Sequence, residues 1–192
     1  MSSPRLLVFA GSSRTGSLNT RLARAAAAVA ESMGATVTLV SLADFEMPLY
    51  DGDLEAEHGI PEGVQRWKRA LIEHDGFIVA SPEYNGSLSP LLKNAIDWAS
   101  RREGDEPRLV AFQGKVVGLL AASPGGLGGL RALPHVRTIL SGIGAHVVPR
   151  QFALGGAHQA FADDGSLADE GKAAQMAGVV EQVVQTARAL NG

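Results

Sequence analysis

The feature that most constrains this chain is a short apolar run at 75–80, DGFIVA, that passes into a polar loop and then into a helix-forming segment within eighteen residues, SPEYNGSLSPLLKNAIDW at 81–98. Apolar runs of that length, bounded by a turn signal, are expected of parallel strands covered on both faces. Ser89 is placed to cap the following helix, and Pro90 fits its first turn, where a missing N–H is harmless. Leu92, Ala95, Ile96 and Ala99 then fall on one helical face. Strand, polar loop, helix is the unit in which α/β proteins place their ligands.

The same unit recurs along the chain. An apolar strand at 6–10 leads into GSSRTGS at 11–17, and a helix with Leu22, Ala26, Val29 and Met33 on one face closes at Gly34. A second strand is expected at 37–42, followed by a long irregular acidic connection at 44–59 containing Pro48 and Tyr50. Pro61 opens a helix with Val64, Trp67 and Leu71 on one side, and it precedes the 75–80 strand. A fourth strand at 116–122 leads to a glycine-rich loop at 123–129 and a helix running toward Leu140, which Pro134 should kink or delay. A short fifth strand at 145–148 and a terminal helix carrying Met176, Val179, Val180, Val183, Ala187 and Leu190 complete the alternation, while 151–173 has no clear assignment.

Alternating βα units predict a parallel sheet with right-handed crossovers, in a three-layer α/β/α arrangement. Two doubly wound strand orders compete. In the five-stranded order 2-1-3-4-5 the switch point lies between the first and third strands, where the two polar loops at 11–17 and 81–89 would meet. With 192 residues, no repeat and no linker, residues 1–192 read as one domain.

Composition removes several function classes. The chain has no cysteine, which excludes disulfides, thiolate nucleophiles and cysteine redox pairs, so electron transfer here needs a bound cofactor. A net charge of -3 gives no basic footprint for nucleic acid and points to a small-molecule partner. No eighteen-residue apolar run and no leader pattern at 1–4 is present, so a cytoplasmic protein without membrane insertion is expected. The five histidines show no HExxH spacing, no GxSxG elbow occurs, and the acids Asp51, Asp53, Glu55 and Glu57 read as a solvated loop rather than a metal site. Trp67 and Trp98 are expected to pack in the core or an interface.

The 11–19 loop offers an unrestricted glycine, the hydroxyls of Ser12, Ser13, Thr15, Ser17 and Thr20, one arginine, and a helix N-terminus, a set suited to one phosphate monoester. It carries neither the lysine of a P-loop nor the GxGxxG of a dinucleotide fingerprint. An ordinary serine-capped turn is the alternative.

GSSRTGSLNTRLA at 11–23, SPEYNGS at 81–87 and LKNAIDW at 92–98 together resemble the NADPH-dependent FMN reductase family, which is flavodoxin-like and includes quinone, chromate and azo-dye reductases. The resemblance implies FMN as cofactor with NADPH or NADH as electron donor, and no catalytic side chain or metal, because the flavin carries the chemistry. It implies that Ser12, Arg14, Ser17, Asn19 and Thr20 hold the FMN phosphate. Pro82, Glu83, Tyr84, Asn85 and Gly86 would line the isoalloxazine, and Ser123, Gly125 and Gly126 would close its other side. Glu83 serves equally well as a helix-cap or dimer-contact carboxylate, and Tyr84 as a half-buried loop anchor. Lys93, Asn94 and Asp97 are expected to order the helix or an oligomer contact. Arg101 and Arg102 are candidates for a nucleotide 2'-phosphate, with solvent exposure the simpler reading. Family members commonly show Pro-Gly where this chain has Ser89-Pro90. The implied activity is hydride transfer from NAD(P)H to FMN and on to a quinone or similar acceptor such as chromate, an azo compound or free flavin, in ping-pong order, by a homodimer or homotetramer. The 44–59 loop and the Trp98 region are the expected oligomer contacts. A flavodoxin-type electron carrier acting on protein partners is the alternative, and a cofactor-free scaffold domain a third.

Overall fold

A computed structural model describes residues 3–191, so the chain's first two residues, part of the leader reading, lie outside it. Five parallel strands form one sheet in the order β2-β1-β3-β6-β7, comprising β1 (Arg5–Ala10), β2 (Thr36–Ser41), β3 (Gly76–Ala80), β6 (Val116–Ala122) and β7 (His146–Leu154). This is the 2-1-3-4-5 order of the flavodoxin-like fold once the hairpin β4 (Glu83–Tyr84) and β5 (Ser87–Leu88) is set aside.

Helices cover both faces because the central strands are apolar and buried along their length, Arg5 at the start of β1 apart. Leu6, Val8 and Ala10 of β1 point into a layer with α1 (Leu18–Ser32) and α6 (Glu170–Asn191). Leu7 and Phe9 alternate to the other face. There they meet residues of α3 (Glu62–Ile72), α4 (Pro90–Ala99) and α5 (Ala132–Gly142). Trp67 packs edge-on against Phe9 at 4.9 Å between ring centroids, and its indole N–H donates to Ala95 O.

Three stretches differ from the sequence-based expectation. The 44–59 connection is not irregular throughout, since Asp51 caps a two-turn helix, α2 (Gly52–His58), by accepting from Asp53 N. The fifth strand continues to Leu154, with Pro149 tolerated because β7 is an edge strand and pairs only with β6. The unassigned 151–173 stretch holds the end of that strand, a short 3₁₀ turn at Ala157–Gln159, and a bridge between Phe161 and Leu167. α5 runs unbroken through Pro134, because that residue lies in the first turn, where no intrahelical N–H is lost. Among the described residues no helix is long and apolar enough to cross a membrane.

Trp98 is fully buried, edge-on to Tyr50, and its indole N–H donates to Pro48 O, while Asn94 bonds Pro48 O and Tyr50 N. Both residues are committed to anchoring the 44–59 connection within the chain. The exposed large apolar side chain of that region is Leu49.

Candidate functional site

The C-terminal ends of β1, β3 and β6 lie side by side, so the loops that follow them converge at the switch point. Gly11 begins the first loop by donating to Ala80 O, and its carbonyl accepts the Ser89 hydroxyl at 2.6 Å. A Cβ at Gly11 would come within 2.9 Å of Leu92 Cβ, so a glycine lets α4 run directly beneath the loop. Ser89 also accepts from Leu92 N, so one buried hydroxyl starts α4 and ties it to the first loop.

Ser17 caps α1 by accepting from Thr20 N. Among the described residues the N–H groups of Ser13, Thr15 and Gly16 have no acceptor, and Arg14 has no carboxylate partner. Free N–H groups at a helix N-terminus beside an unpaired guanidinium are what a phosphate dianion requires. That donor set fits the phosphate of FMN.

Asn19 plays a different part. Its amide donates to Ala122 O and accepts from Ala122 N, both at 2.9 Å, and the residue is 4% exposed. The physical reason lies in β3, whose last paired residue is Ala80 opposite Leu120. Beyond Pro82, which has no N–H to offer, β3 no longer supplies a partner for β6, and the Asn19 side chain supplies it instead.

The second loop is an antiparallel hairpin turning on Asn85 (φ 53°) and Gly86 (φ 81°). Left-handed backbone at both central positions is what a type I′ turn demands, and Asn-Gly is its strongest sequence signal. Asn85 and Gly86, which the family resemblance implies as flavin-lining residues, are the two turn residues of this hairpin. The hairpin leaves Tyr84 51% exposed and turns the Glu83 carboxylate inward, 8% exposed.

Glu83 is engaged by Arg131 at the start of α5. Arg131 Nε donates to it at 2.6 Å and Arg131 N at 3.0 Å, with Nη2 also in contact. The side-chain bond from Arg131 holds the Glu83 carboxyl below its ordinary range despite burial. Sequence reasoning missed Arg131, and nothing local to it signals the contact, since its partner lies 48 residues away. The pair joins the hairpin to the third loop. That loop is itself pressed onto the end of β7, where Gly128 (φ 64°) lies so close that a Cβ would be 2.6 Å from Gly155 N.

Ser12, Arg14, Ser17, Asn19, Pro82, Glu83, Tyr84 and Ser123 are thereby brought to one notch, with Leu18, Ala122 and Pro124 completing it. Thr20, Asn85, Gly86, Gly125 and Gly126 are outside its lining. Its volume is about 140 Å³. That is below the roughly 300 to 1,000 Å³ that usually encloses a small ligand. One chain therefore has room to grip a phosphate and part of a polyol, leaving a flat ring open over the hairpin. Larger cavities lie elsewhere, one of about 800 Å³ where α1, α6 and residues 163–167 meet, but that one lacks converging free donors. Among the described residues no cluster of three metal-binding side chains occurs.

A family model for NADPH-dependent FMN reductase matches residues 4–159. A quinone reductase of Escherichia coli K12 is 36% identical over 169 residues, covering 87% of this chain and 86% of the relative. An NAD(P)H-dependent FMN reductase of Pseudomonas aeruginosa is 36% identical over 86% of this chain and 85% of its own length. Among solved structures, a flavoenzyme NAD(P)H:acceptor oxidoreductase of Paracoccus denitrificans superposes with a TM-score of 0.80 at 30% identity, covering 97% of this chain and 98% of that one.

Proposed function

The chain belongs to the NADPH-dependent FMN reductase family, and on that premise we propose that it reduces quinones or similar flat acceptors in alternation with NAD(P)H. The observation that carries this reading is the set of unpaired loop donors beside Arg14, placed next to a notch too small to enclose a whole flavin. FMN, held by these loops, would supply two-electron redox chemistry between the nicotinamide and the acceptor.

The protein's own part is binding and orientation. Arg14 and the loop N–H groups hold the phosphate, the clamp from Asn19 to Ala122 fixes the floor, and the Glu83–Arg131 pair keeps hairpin and third loop at a set spacing. Ser12, Ser17 and Thr20 add hydroxyls, while Pro82 to Gly86 and Ser123, Gly125 and Gly126 border the ring. No side chain is assigned an acid or base role. A single open face makes nucleotide and acceptor use the same space in turn, so initial-rate lines should run parallel. We also propose that two or more copies assemble with exposed Leu49, Tyr84, Leu127 and Leu130 in the contact, in a cytoplasmic protein that functions as one domain.

An anaerobic NADPH titration of FMN-reconstituted protein, followed by flavin absorbance against a free-FMN control, tests the reading. Bleaching beyond the control is expected. Flavin that stays bound and oxidised would instead identify an electron carrier. Arg14→Ala should weaken FMN binding at least tenfold; unchanged affinity removes Arg14 from the phosphate site.

A further inference from the structure

We propose that His135 is a positioning residue for the acceptor side of the cofactor site, acting through Ser87 to hold the 83–88 hairpin and with it Tyr84. The inference rests on the FMN-dependent reading above and adds a residue that lies outside the notch. A hairpin with two residues in each strand is too short to fix its own place. None of residues 83–88 is buried as a whole, and Leu88 alone of them packs against the core. Strand β4 lines the notch, whereas β5 borders an open pocket of about 580 Å³, floored by Leu88, Pro90 and Ile139 and edged by Lys93. Space on that side leaves the hairpin room to swing, so its position depends on bonds more than on packing.

The start of α5 supplies those bonds. Arg131 and His135 are four residues apart and so project from one side of the helix. Arg131 holds Glu83 in β4, and His135 Nδ1 lies 2.8 Å from Ser87 Oγ in β5, within a hydrogen bond. Each helix residue thus takes one strand of the hairpin. Among the described residues these are the hairpin's only side-chain hydrogen bonds to the rest of the fold.

Ser87 is also the direct cross-strand partner of Tyr84. Side chains paired in this way stand on one face of the ribbon with Cβ atoms about 5 Å apart, so fixing Ser87 fixes the ground beside the tyrosine. Tyr84 is exposed and lines the notch, and among the described residues its hydroxyl has no hydrogen bond. Its place is therefore set by the strand opposite and, through Ser87, by His135. Glu83 with Arg131 pins β4 alone and would leave β5 free to pivot.

Cofactor-free and FMN-loaded protein give separate readouts. In the first, amide hydrogen exchange of residues 83–88 is followed by mass spectrometry. His135→Leu should speed exchange there about three- to tenfold, the effect of one lost hydrogen bond, while peptides from α1 and the sheet exchange as before. Ser87→Ala should do the same, and the double variant should add nothing to either. His135→Asn, which keeps a bonding atom where Nδ1 stood, should restore slow exchange. In the FMN-loaded protein, with 1,4-benzoquinone as acceptor, His135→Leu should raise KM for the quinone at least about threefold while kcat and FMN affinity stay near those of the unmodified protein. His135→Asn should return KM toward its original value, a rescue that loss of stability alone would not give. Unchanged exchange, or an additive double variant, overturns the tether. Faster exchange with an unchanged KM overturns the positioning role, because the hairpin then moves without consequence for the acceptor. If the unmodified loaded protein reduces no quinone, the redox reading itself fails and the acceptor role of His135 falls with it, an outcome distinct from activity that ignores the variant.

Discussion

Replacing Asn19 with alanine separates two roles that residue is able to play. If Asn19 acts by closing the gap left where β3 departs, its loss strands the N–H and C=O of Ala122 in a buried place, since each bonds Asn19 at 2.9 Å. An unsatisfied buried backbone group costs about 1–3 kcal/mol, so two cost about 2–6 kcal/mol, at the lower end where water enters the space vacated by the side chain. In a chain of 192 residues each kcal/mol moves the melting temperature by about 2–4 °C, which gives a fall of about 4–24 °C. The decisive sample is the cofactor-free protein, unfolded by heat and by urea. A direct phosphate ligand would leave that sample unchanged and weaken only FMN binding. An apo melting temperature within 1–2 °C of the unmodified protein, roughly the effect of a surface substitution, would therefore refute the clamp. Asn19→Asp sharpens the result, because it keeps the acceptor for Ala122 N but sets a carboxylate against Ala122 O, and it should destabilise at least as much at neutral pH.

Ser89→Ala removes the bond to Gly11 O and the cap on α4 together, and should lower stability by about 1–3 kcal/mol with weaker FMN retention, measured by urea unfolding and flavin release. Glu83→Gln should cost about 1–2 kcal/mol, discounted because Arg131 is 64% exposed on its side chain. Since the folded Glu83 carboxyl is held below its ordinary value, its stabilisation is fully present above that value, about 4.3, and is lost as pH falls through the folded one. The difference in melting temperature between Glu83→Gln and the unmodified protein should thus be constant from pH 7 to about 5 and shrink below about 4; a difference that grows on acidification would contradict the assignment. Gly128→Ala should cost about 2–4 kcal/mol, from left-handed backbone and from overlap with the backbone of 153–155, and a melting temperature equal to that of the unmodified protein would show that the third loop is free to move.

The sheet was legible because its information is local. Runs such as 76–80 and 116–122 are apolar at every position, which only a strand covered on both faces allows, and each is followed by helix-capping chemistry that marks the crossover. Helix α2 escaped because it buries none of its residues, so it has no apolar stripe to detect and is set by the Asp51 cap. The site shows the same division. Its free donors are written in one contiguous loop, whereas its rigidity comes from pairs far apart in sequence. Asn19 meets Ala122 across 103 residues, Ser89 meets Gly11 across 78, and Glu83 meets Arg131 across 48. Each pair links one of the three converging loops to another, and each uses a polar side chain to satisfy an atom that the end of a strand or the start of a helix leaves open. A parallel sheet necessarily produces such open atoms where neighbouring strands end at different heights, and only at its edges and ends. The residues that hold the cofactor loops in place are therefore those that the strand ends require, which is why an asparagine quoted for its resemblance to a phosphate ligand turns out to be bonded to the sheet.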